Sequence, residues 1–206
     1  MSNYHGEWQN NRINFILKYY NPEFFKNKTI LELGPYNGYI GNYFHKLGSN
    51  MTLIEGRKEN IDDIKNVYPH LNIIHENCDK ADWTFGQFDI IINFGVFYHL
   101  EKFHKEHLIN CINNSKIMFF ESVVHDSYED EIYFRQEEGP DQSLTGIGGT
   151  PSTSFIENIL NKHNCNYTKF TDGSLNGGDH KYDWNDSNSK IHNEFNRRMW
   201  FIQKQI

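Results

Sequence analysis

A carboxylate and two glycines stand close together in residues 29–41, which read TILELGPYNGYIG. The carboxylate is Glu32, near the end of a short apolar run, and the glycines that follow it are Gly34 and Gly38. A glycine turn lets backbone N–H groups and a helix N-terminus approach a ligand closely. A carboxylate at this position would repel a pyrophosphate and attract a cation. The spacing therefore predicts a site for a ligand with a cationic group, such as the ammonium of an amino acid.

Two common phosphate-binding motifs are absent from this turn. A dinucleotide fingerprint that started at Gly34 would need glycines where the chain has Tyr36 and Tyr39. The Walker motif needs Gly-Lys followed by Ser or Thr, and this combination does not occur in the sequence. The remaining pattern is acid-x-Gly-x-x-x-Gly, in which the acid belongs to the end of a strand.

Polar residues recur at the end of each of five short apolar runs. The runs alternate with helix-like patterns and predict parallel strands at 29–33, 51–55, 71–75, 88–93 and 116–121. The polar residues at or just after their ends include Glu32, Glu55, Asp79, Asn93 and Glu121. Because ligands of such sheets bind beyond the carboxyl ends of the strands, these side chains are expected to surround a common ligand.

The remaining patterns complete a predicted α/β fold. We expect a doubly wound, mostly parallel, seven-stranded sheet with helices on both faces, in which 167–170 and 197–204 form the last two strands. Residues 4–26 predict an N-terminal helical extension beside the sheet. Two polar stretches, 122–152 and 171–190, are too long for ordinary connections and are expected to form loops over the carboxyl edge of the strands.

Length and composition limit the class of protein. The 206 residues predict one domain, divided into an N-terminal cover (1–28), a binding core (29–121) and substrate loops with C-terminal strands (122–206). A net charge of −7 disfavours a nucleic-acid partner, because phosphate binding needs clustered Lys and Arg. Three widely spaced cysteines give no disulfide or zinc framework and indicate the cytoplasm. No apolar run has the length of a membrane span, so no membrane partner is expected.

The motifs resemble those of the class I S-adenosylmethionine-dependent methyltransferases over about residues 29–125. Residues 31–38, LELGPYNG, are similar to the family's first motif, which loops around the methionine part of the cofactor. Residues 53–55 resemble the second motif, whose acid takes the two ribose hydroxyls. Residues 77–79 match the third motif, whose acid meets the adenine amino group, and 88–95 match the fourth, which lines the reactive end. The resemblance implies S-adenosyl-L-methionine as cofactor, S-adenosyl-L-homocysteine as product, and no metal.

The cofactor-binding residues follow from this resemblance. Glu55 offers two oxygens to a cis-diol and lies 21 positions after Gly34, about where a ribose-binding acid belongs. Tyr36 stands where the family usually has a glycine. The alternative, that Glu55 only caps a strand and Asp79 only ends a turn, stays open for either residue taken alone. The implied residues are Glu32, Gly34, Tyr36, Asn37, Gly38, Glu55, Gly56, Arg57, Cys78, Asp79, Asn93, Phe94 and Gly95.

A histidine follows the fourth predicted strand, where an acceptor should meet the methyl group. His99, in the run 95–100 (GVFYHL), is the candidate general base because imidazole titrates near neutral pH. The alternative is a histidine that only packs or hydrogen-bonds within its loop. His104 and His107 share a helical face, but no carboxylate completes a metal site with them. We predict that they lie on a solvated helix face.

The acceptor site is expected in the two long loops and the N-terminal helix. Residues 179–184, DHKYDW, mix polar groups with flat aromatic rings, a composition that suits a sugar or another polar ring. An equally open alternative is that the aromatic residues of this stretch anchor the loop in the core. Arg197 and Arg198 are expected to pair with the acidic residues 129–138. The candidate acceptor residues are Trp8, Arg12, Tyr98, Arg135, His180, Tyr182 and Trp184.

The function predicted from these residues is methyl transfer from S-adenosylmethionine to a small polar acceptor. A sugar or glycan precursor is one such acceptor, and oxygen is slightly favoured over nitrogen because His99 is available as a base. One alternative is a non-catalytic cofactor-binding partner subunit. Another is a tRNA-modifying transferase, since GVFYHL and TPSTSFIENIL are also similar to the wobble-uridine carboxymethyltransferase branch of the family. The oligomeric state is not predicted.

Overall fold

Nine strands and five helices alternate along most of the chain in the computed structural model, which describes residues 4–139 and 141–204. The strands are β1 (Thr29–Leu33), β2 (Asn50–Glu55), β3 (Asn72–His75), β4 (Phe88–Phe94), β5 (Ser115–Val123), β6 (Ile132–Gln136), β7 (Ile147–Pro151), β8 (Cys165–Phe170) and β9 (Arg197–Lys204). The helices are α1 (Tyr4–Leu17), α2 (Tyr39–Lys46), α3 (Lys58–Val67), α4 (His104–Asn113) and α5 (Thr153–Lys162).

Seven strands form one sheet in the order β3-β2-β1-β4-β5-β9-β8. The first five strands in this order, β3, β2, β1, β4 and β5, are parallel, and β9 runs antiparallel to both of its neighbours. The predicted seven-stranded, mostly parallel α/β sheet is therefore confirmed. The chain leaves the centre at β1, moves outward to β3, and returns to β4 beside β1. This reversal opens a crevice at the carboxyl ends of β1 and β4, which is where such sheets bind ligands.

The two faces of the sheet carry separate apolar cores. On β4, Ile91 packs in the cluster that includes residues of α4 and α5, whereas Ile90 and Ile92 pack in the cluster that includes residues of α1, α2 and α3. Successive side chains of a strand point to opposite faces, so helices cover both sides. The apolar runs of the sequence reflect this double burial. No helix in the described part of the chain is long and apolar enough to cross a bilayer.

The N-terminal helical extension predicted over 4–26 consists of α1, which ends at Leu17, and a short 3-10 turn, Pro22–Phe25, which Asn21 caps through its side chain. One part of the chain differs from the sequence-based expectation. The stretch 122–152, expected as an irregular loop, contains the antiparallel hairpin of β6 and β7. The strand signal of β7 is hidden because Gly148 and Gly149 occupy its centre and interrupt the alternation of apolar and polar residues.

Arg198 anchors the second long loop from within β9. Its guanidinium donates to the backbone oxygens of Tyr182 (3.0 Å) and Trp184 (2.9 Å), and it lies 3.5 Å from the centre of the Trp184 ring. It also pairs with Asp186 at 3.4 Å. The predicted pairing of Arg198 with residues 129–138 is therefore wrong, because the 182–186 segment is closer and supplies both carbonyl and carboxylate acceptors.

Asp126 organises the far end of the same loop. Its buried carboxylate accepts hydrogen bonds from the backbone N–H groups of Ser187 (2.7 Å) and Asn188 (2.9 Å). The hydroxyl groups of Ser187 and Ser189 also donate to it. Burial would raise the pKa of Asp126, but these donors lower it to about 2. This end of the loop is therefore held by an ionised side chain.

Replacing Asp126 by Asn should lower the free energy of unfolding by about 2 kcal/mol at pH 7, since hydrogen bonds to a charged group contribute roughly 1.5–3 kcal/mol. The pKa of Asp126 is lowered in the folded state, so its contribution is complete above the ordinary carboxyl pKa and is lost as the pH falls toward 2. Urea unfolding at pH 7 and pH 3 should show that the wild type and Asp126→Asn differ less in free energy of unfolding at pH 3 than at pH 7. Asp63→Asn, at an exposed position of α3, is the control. Equal stability of the two variants at pH 7 would refute this role.

Candidate functional site

A cavity of about 420 Å³ opens at the carboxyl ends of the central strands. It lies between β1, β2 and β4 on one side and α1 with residues 141–145 on the other. Most of the residues predicted from the sequence line it. These are Trp8, Arg12, Gly34, Tyr36, Glu55, Gly56, Arg57, Cys78, Asp79, Phe94, Gly95, Tyr98, His99, Arg135 and His180.

Six predicted residues are not in the cavity lining. The structure places them behind it or beside it: Glu32, Asn37, Gly38, Asn93, Tyr182 and Trp184. Asn37 accepts a hydrogen bond from Gln9 Nε2 at 2.8 Å, which ties the turn to α1. Asn93 is fully buried, and its amide nitrogen lies 2.9 Å from His107 Nε2. These two side chains therefore support the walls of the site.

The turn after β1 has an unusual backbone. Gly34, Tyr36 and Gly38 all have positive φ angles, of 61°, 55° and 73°. A β-carbon added to Gly34 would lie 3.0 Å from the Cβ atom of Val96, so the turns after β1 and β4 pack closely only because this residue is glycine. For Tyr36 the left-handed conformation is strained, and such strain concentrates at functional sites.

Glu32 is a buried acid beneath this turn. Its Oε2 atom has no hydrogen-bond partner among the described residues, and a β-carbon added to Gly41 would lie 2.6 Å from it. Burial raises the pKa of Glu32 to about 8, although the Gly41 backbone and the charge of Arg12 oppose the shift. The carboxyl group is therefore mostly protonated at neutral pH. A cation bound nearby would favour its ionised form.

Glu55 and Asp79 end β2 and the segment after β3. Glu55 Oε1 accepts a hydrogen bond from the Arg57 backbone at 2.8 Å, and its second oxygen has no such bond within the described chain. The carboxylate of Asp79 accepts from the backbone N–H groups of Glu101 and Phe103, both at 2.8 Å. Asp79 thus anchors the segment before α4 as well as lining the cavity.

Glu121, at the end of β5, joins three elements at the opposite side of the cavity. Its fully buried carboxylate pairs with Arg12 from α1 and with Arg197 from β9, the latter at 2.5 Å. The Tyr182 hydroxyl donates to it at 3.2 Å, and Arg197 donates to the Tyr98 hydroxyl at 3.1 Å. Burial would raise the pKa of Glu121, but the two guanidinium groups lower it to about 2. The expected pairing of Arg197 with residues 129–138 is wrong, because this buried carboxylate takes its place.

His99 pairs with a carboxylate that the sequence did not reveal. Its Nδ1 atom lies 2.6 Å from Oε2 of Glu137, which follows β6 and is wholly buried. Burial would raise the pKa of Glu137, but the His99 contact, the Ser143 backbone N–H and the Arg135 charge lower it. His99 is thus a cavity residue oriented by an ionised partner. Glu137 lies among the acidic residues of an expected loop, and no sequence pattern distinguishes it from its neighbours.

His104 and His107 do not lie on a solvated helix face, and that prediction is wrong. Both are about 1% exposed. His104 Nε2 lies 2.8 Å from the backbone oxygen of Gly149, and the His107 ring stacks on Trp83 at 4.9 Å. Burial lowers the pKa of His107 to about 4. Within the described ranges, no group of three His, Cys, Asp or Glu side chains is arranged to hold a metal ion.

The raised pKa of Glu32 should make the stability of the ligand-free protein fall with pH. The folded chain keeps a proton up to about pH 8 that the unfolded chain releases near pH 4.5. Stability should therefore decrease across this window, by up to about 1.4 kcal/mol per pH unit. Urea unfolding at pH 5.5 and 7.5 measures how the free energy of unfolding changes with pH. Glu32→Gln should remove the contribution of Glu32 to this change, whereas Glu59→Gln, at an exposed position of α3, should leave the change as in the wild type. Identical slopes in wild type and Glu32→Gln would contradict the assignment.

A family comparison agrees with the geometry. The sequence profile of a family described as "Methyltransferase domain" matches residues 5–169, most of the chain. No curated protein sequence matches the chain significantly.

Solved structures share the fold at low sequence identity. The N-terminal domain of EvdMO1, determined in the presence of SAH and D-fucose, is 14% identical with a TM-score of 0.70, covering 95% of this chain and 83% of that one. An S-adenosylmethionine-dependent methyltransferase from Clostridium acetobutylicum is 12% identical with a TM-score of 0.63, covering 98% and 92%. The glycopeptide N-methyltransferase MtfA is 8% identical with a TM-score of 0.61, covering 96% and 90%. Because the family profile spans most of the chain and the fold is shared, the chain belongs to the methyltransferase-domain family, within the class I S-adenosylmethionine-dependent methyltransferases.

Proposed function

We propose that this methyltransferase acts on a hydroxyl oxygen of a small, neutral, sugar-like acceptor, with His99 as the general base. The observation that carries the proposal is the contact of 2.6 Å between His99 Nδ1 and the buried Glu137 carboxylate, on the wall of the cavity. His99 follows the turn at Gly95, which lines the same cavity. The proposed base and the proposed cofactor site therefore share one cavity.

The residues of the cavity suit S-adenosylmethionine. The unpartnered Oε2 atom of Glu32, below the glycine turn, suits a nearby ammonium, met directly or through water. Glu55 keeps one oxygen for a ribose hydroxyl. When bound, the cofactor would supply an electrophilic methyl group on a sulfonium, and in-line attack of a nucleophile on that methyl group would release S-adenosylhomocysteine as a neutral thioether. The protein's part is to hold the acceptor in line and to remove its proton.

A hydroxyl acceptor has particular need of such a base. A sugar hydroxyl keeps its proton at neutral pH, so its oxygen becomes strongly nucleophilic only as the proton leaves. With its Nδ1 proton donated to Glu137, the His99 imidazole presents the lone pair of Nε2 to an acceptor. This arrangement favours oxygen as the methylated atom.

The charges around the acceptor side of the cavity favour a neutral molecule. Three guanidinium groups lie there, those of Arg12, Arg135 and Arg197, and they are matched by carboxylates. The nearby carboxylates are those of Glu121, Glu137, Asp179 and Glu194. The site therefore has no excess of positive charge that would attract a phosphate or carboxylate ligand. The aromatic rings of Trp8, Tyr98 and Phe195 give the apolar contact that a pyranose ring needs. The crystals of EvdMO1 with D-fucose give a precedent for a sugar with this fold.

Replacing Glu55 by Ala should weaken binding of S-adenosylmethionine and S-adenosylhomocysteine by more than tenfold, because the carboxylate contact to the ribose would be lost. Titration calorimetry measures the affinity. Glu59→Ala, four residues later on the exposed face of α3, should bind like the wild type. Absence of binding by the wild-type chain would overturn the cofactor assignment, and unchanged binding by Glu55→Ala would remove Glu55 from the site.

Replacing His99 by Ala should lower the rate of methyl transfer on the order of 10²-fold or more, with cofactor affinity changed by less than about threefold. The assay uses labelled S-adenosylmethionine and a panel of neutral sugars and their glycosides, uronic acids, amines and tRNA. Product mass spectrometry identifies the methylated atom. Transfer only to amines or tRNA would overturn the proposed acceptor, and activity only in the presence of a second protein would favour a partner-subunit role.

A further inference from the structure

We propose that Glu137 is a positioning residue for His99 and that residues 141–145, here called the strap, hold Glu137 in place while covering the cofactor end of the cavity. The inference rests on the proposed function in one respect, the role of His99 as base. Its structural part stands on the contacts of Glu137 and the strap alone.

The β6–β7 hairpin leaves a space for the Glu137 side chain. A β-carbon added to Gly148 would lie 2.4 Å from Glu137 Cδ and 2.5 Å from its Oε1. Any side chain at this position would therefore displace the carboxylate. The next residue, Gly149, donates its backbone N–H to the oxygen of Leu100 at 2.8 Å, which fastens the hairpin beside the turn that carries His99. The absence of a side chain at Gly148 thus leaves the space in which the Glu137 carboxylate contacts His99.

Two hydrogen-bond donors and one cation converge on the buried carboxylate. Besides His99 Nδ1, the backbone N–H of Ser143 donates to Oε2 at 2.9 Å, and Arg135 forms an ion pair in which its Nη2 atom lies 3.0 Å from Oε1. Arg135 is itself 3.5 Å from Glu194. A buried charge persists only when such partners compensate its lost hydration. The ionised carboxylate accepts only, so a neutral His99 places its proton on Nδ1 and leaves Nε2 free as the basic atom.

The strap connects this pair to the cofactor end of the cavity. Arg57 Nη2 donates to the backbone oxygens of Gln142, at 2.5 Å, and Ser143, at 3.2 Å. Ser143 therefore binds Arg57 through its carbonyl group and Glu137 through its N–H group. Leu144 lies against Gly56, where an added β-carbon would be 2.4 Å from its Cδ1 atom. Thus the strap contacts both Gly56, which follows the proposed ribose-binding acid, and Glu137, which pairs with the proposed base.

The remaining polar groups near His99 do not offer Nδ1 an alternative acceptor of equal strength. Tyr98, on the same turn, stands with its ring centre 4.1 Å from that of His99, and its hydroxyl accepts from Arg197. Arg135 is a cation and can only donate. Loss of the Glu137 charge should therefore release the imidazole to its other tautomer and to other orientations.

The test compares Glu137→Gln with Glu138→Gln, a matched change at the adjacent, exposed carboxylate. Nitrogen NMR of the full chain labelled at histidine, above the pH at which imidazole titrates, reports which ring nitrogen carries the proton. We expect the Nδ1–H form of His99 in the wild type and in Glu138→Gln, and its loss in Glu137→Gln. In parallel, kcat should fall on the order of 10²-fold in Glu137→Gln, with KM for the cofactor changed by less than about threefold.

A second variant guards against loss of folding. Glu137→Asp keeps the charge among its donors but shortens the side chain by one methylene, so it should fold, weaken the Nδ1 contact and lower kcat by about tenfold. An unchanged His99 tautomer in both Glu137 variants overturns the positioning role. If the tautomer changes while His99→Ala leaves methyl transfer intact, Glu137 positions His99 and the proposed base is wrong. The two failures are therefore distinguishable.

Discussion

The site depends on carboxylates that are buried and must find compensating charges inside the protein. Taking an ion from water into a folded chain costs several kcal/mol, and the loss is recovered only with close, well-placed partners. Glu121 pairs with Arg12 on α1 and Arg197 on β9, and these pairs hold one side of the cavity together. Glu137 finds His99, Arg135 and a backbone N–H, and it closes the hairpin side. The cavity walls are thus held by charge as much as by apolar packing.

The environment, rather than the residue type, decides what each of these acids does. Glu32 has burial without a close cation, and its pKa rises to about 8. Glu121 has equal burial beside two guanidinium groups, and its pKa falls to about 2. A cation close to the first group would favour its ionised form, whereas the second group is already ionised and joins α1 to β9. Two acids that look alike in the sequence therefore have opposite pKa shifts in the folded chain.

The strand ends were predictable from the sequence because they depend on local patterns. Apolar runs, glycine turns and acids at the ends of strands recur at short range, and a parallel sheet brings them to one edge, as Gly34, Glu55 and Gly95 show. The hairpin of β6 and β7 was not predictable, because it forms by long-range contact of a glycine-rich strand with the turn after β4. Glu137 was missed for that reason. The burial of His107 was missed for a related reason, since its contact with Asn93 depends on how α4 packs on the sheet.

The strap connects the end of β2 with Glu137 through two sets of hydrogen bonds. Arg57 and Glu55 are neighbours at the end of β2, and the strap that Arg57 holds also fixes Glu137 and through it His99. The most direct measurement is a crystal structure with S-adenosylhomocysteine and a neutral sugar acceptor bound. The acceptor hydroxyl should lie about 3 Å from His99 Nε2, with Nδ1 still on Glu137. A sugar whose hydroxyl groups all avoid His99, or a ring turned so that Nε2 faces Glu137, would contradict the proposed chemistry.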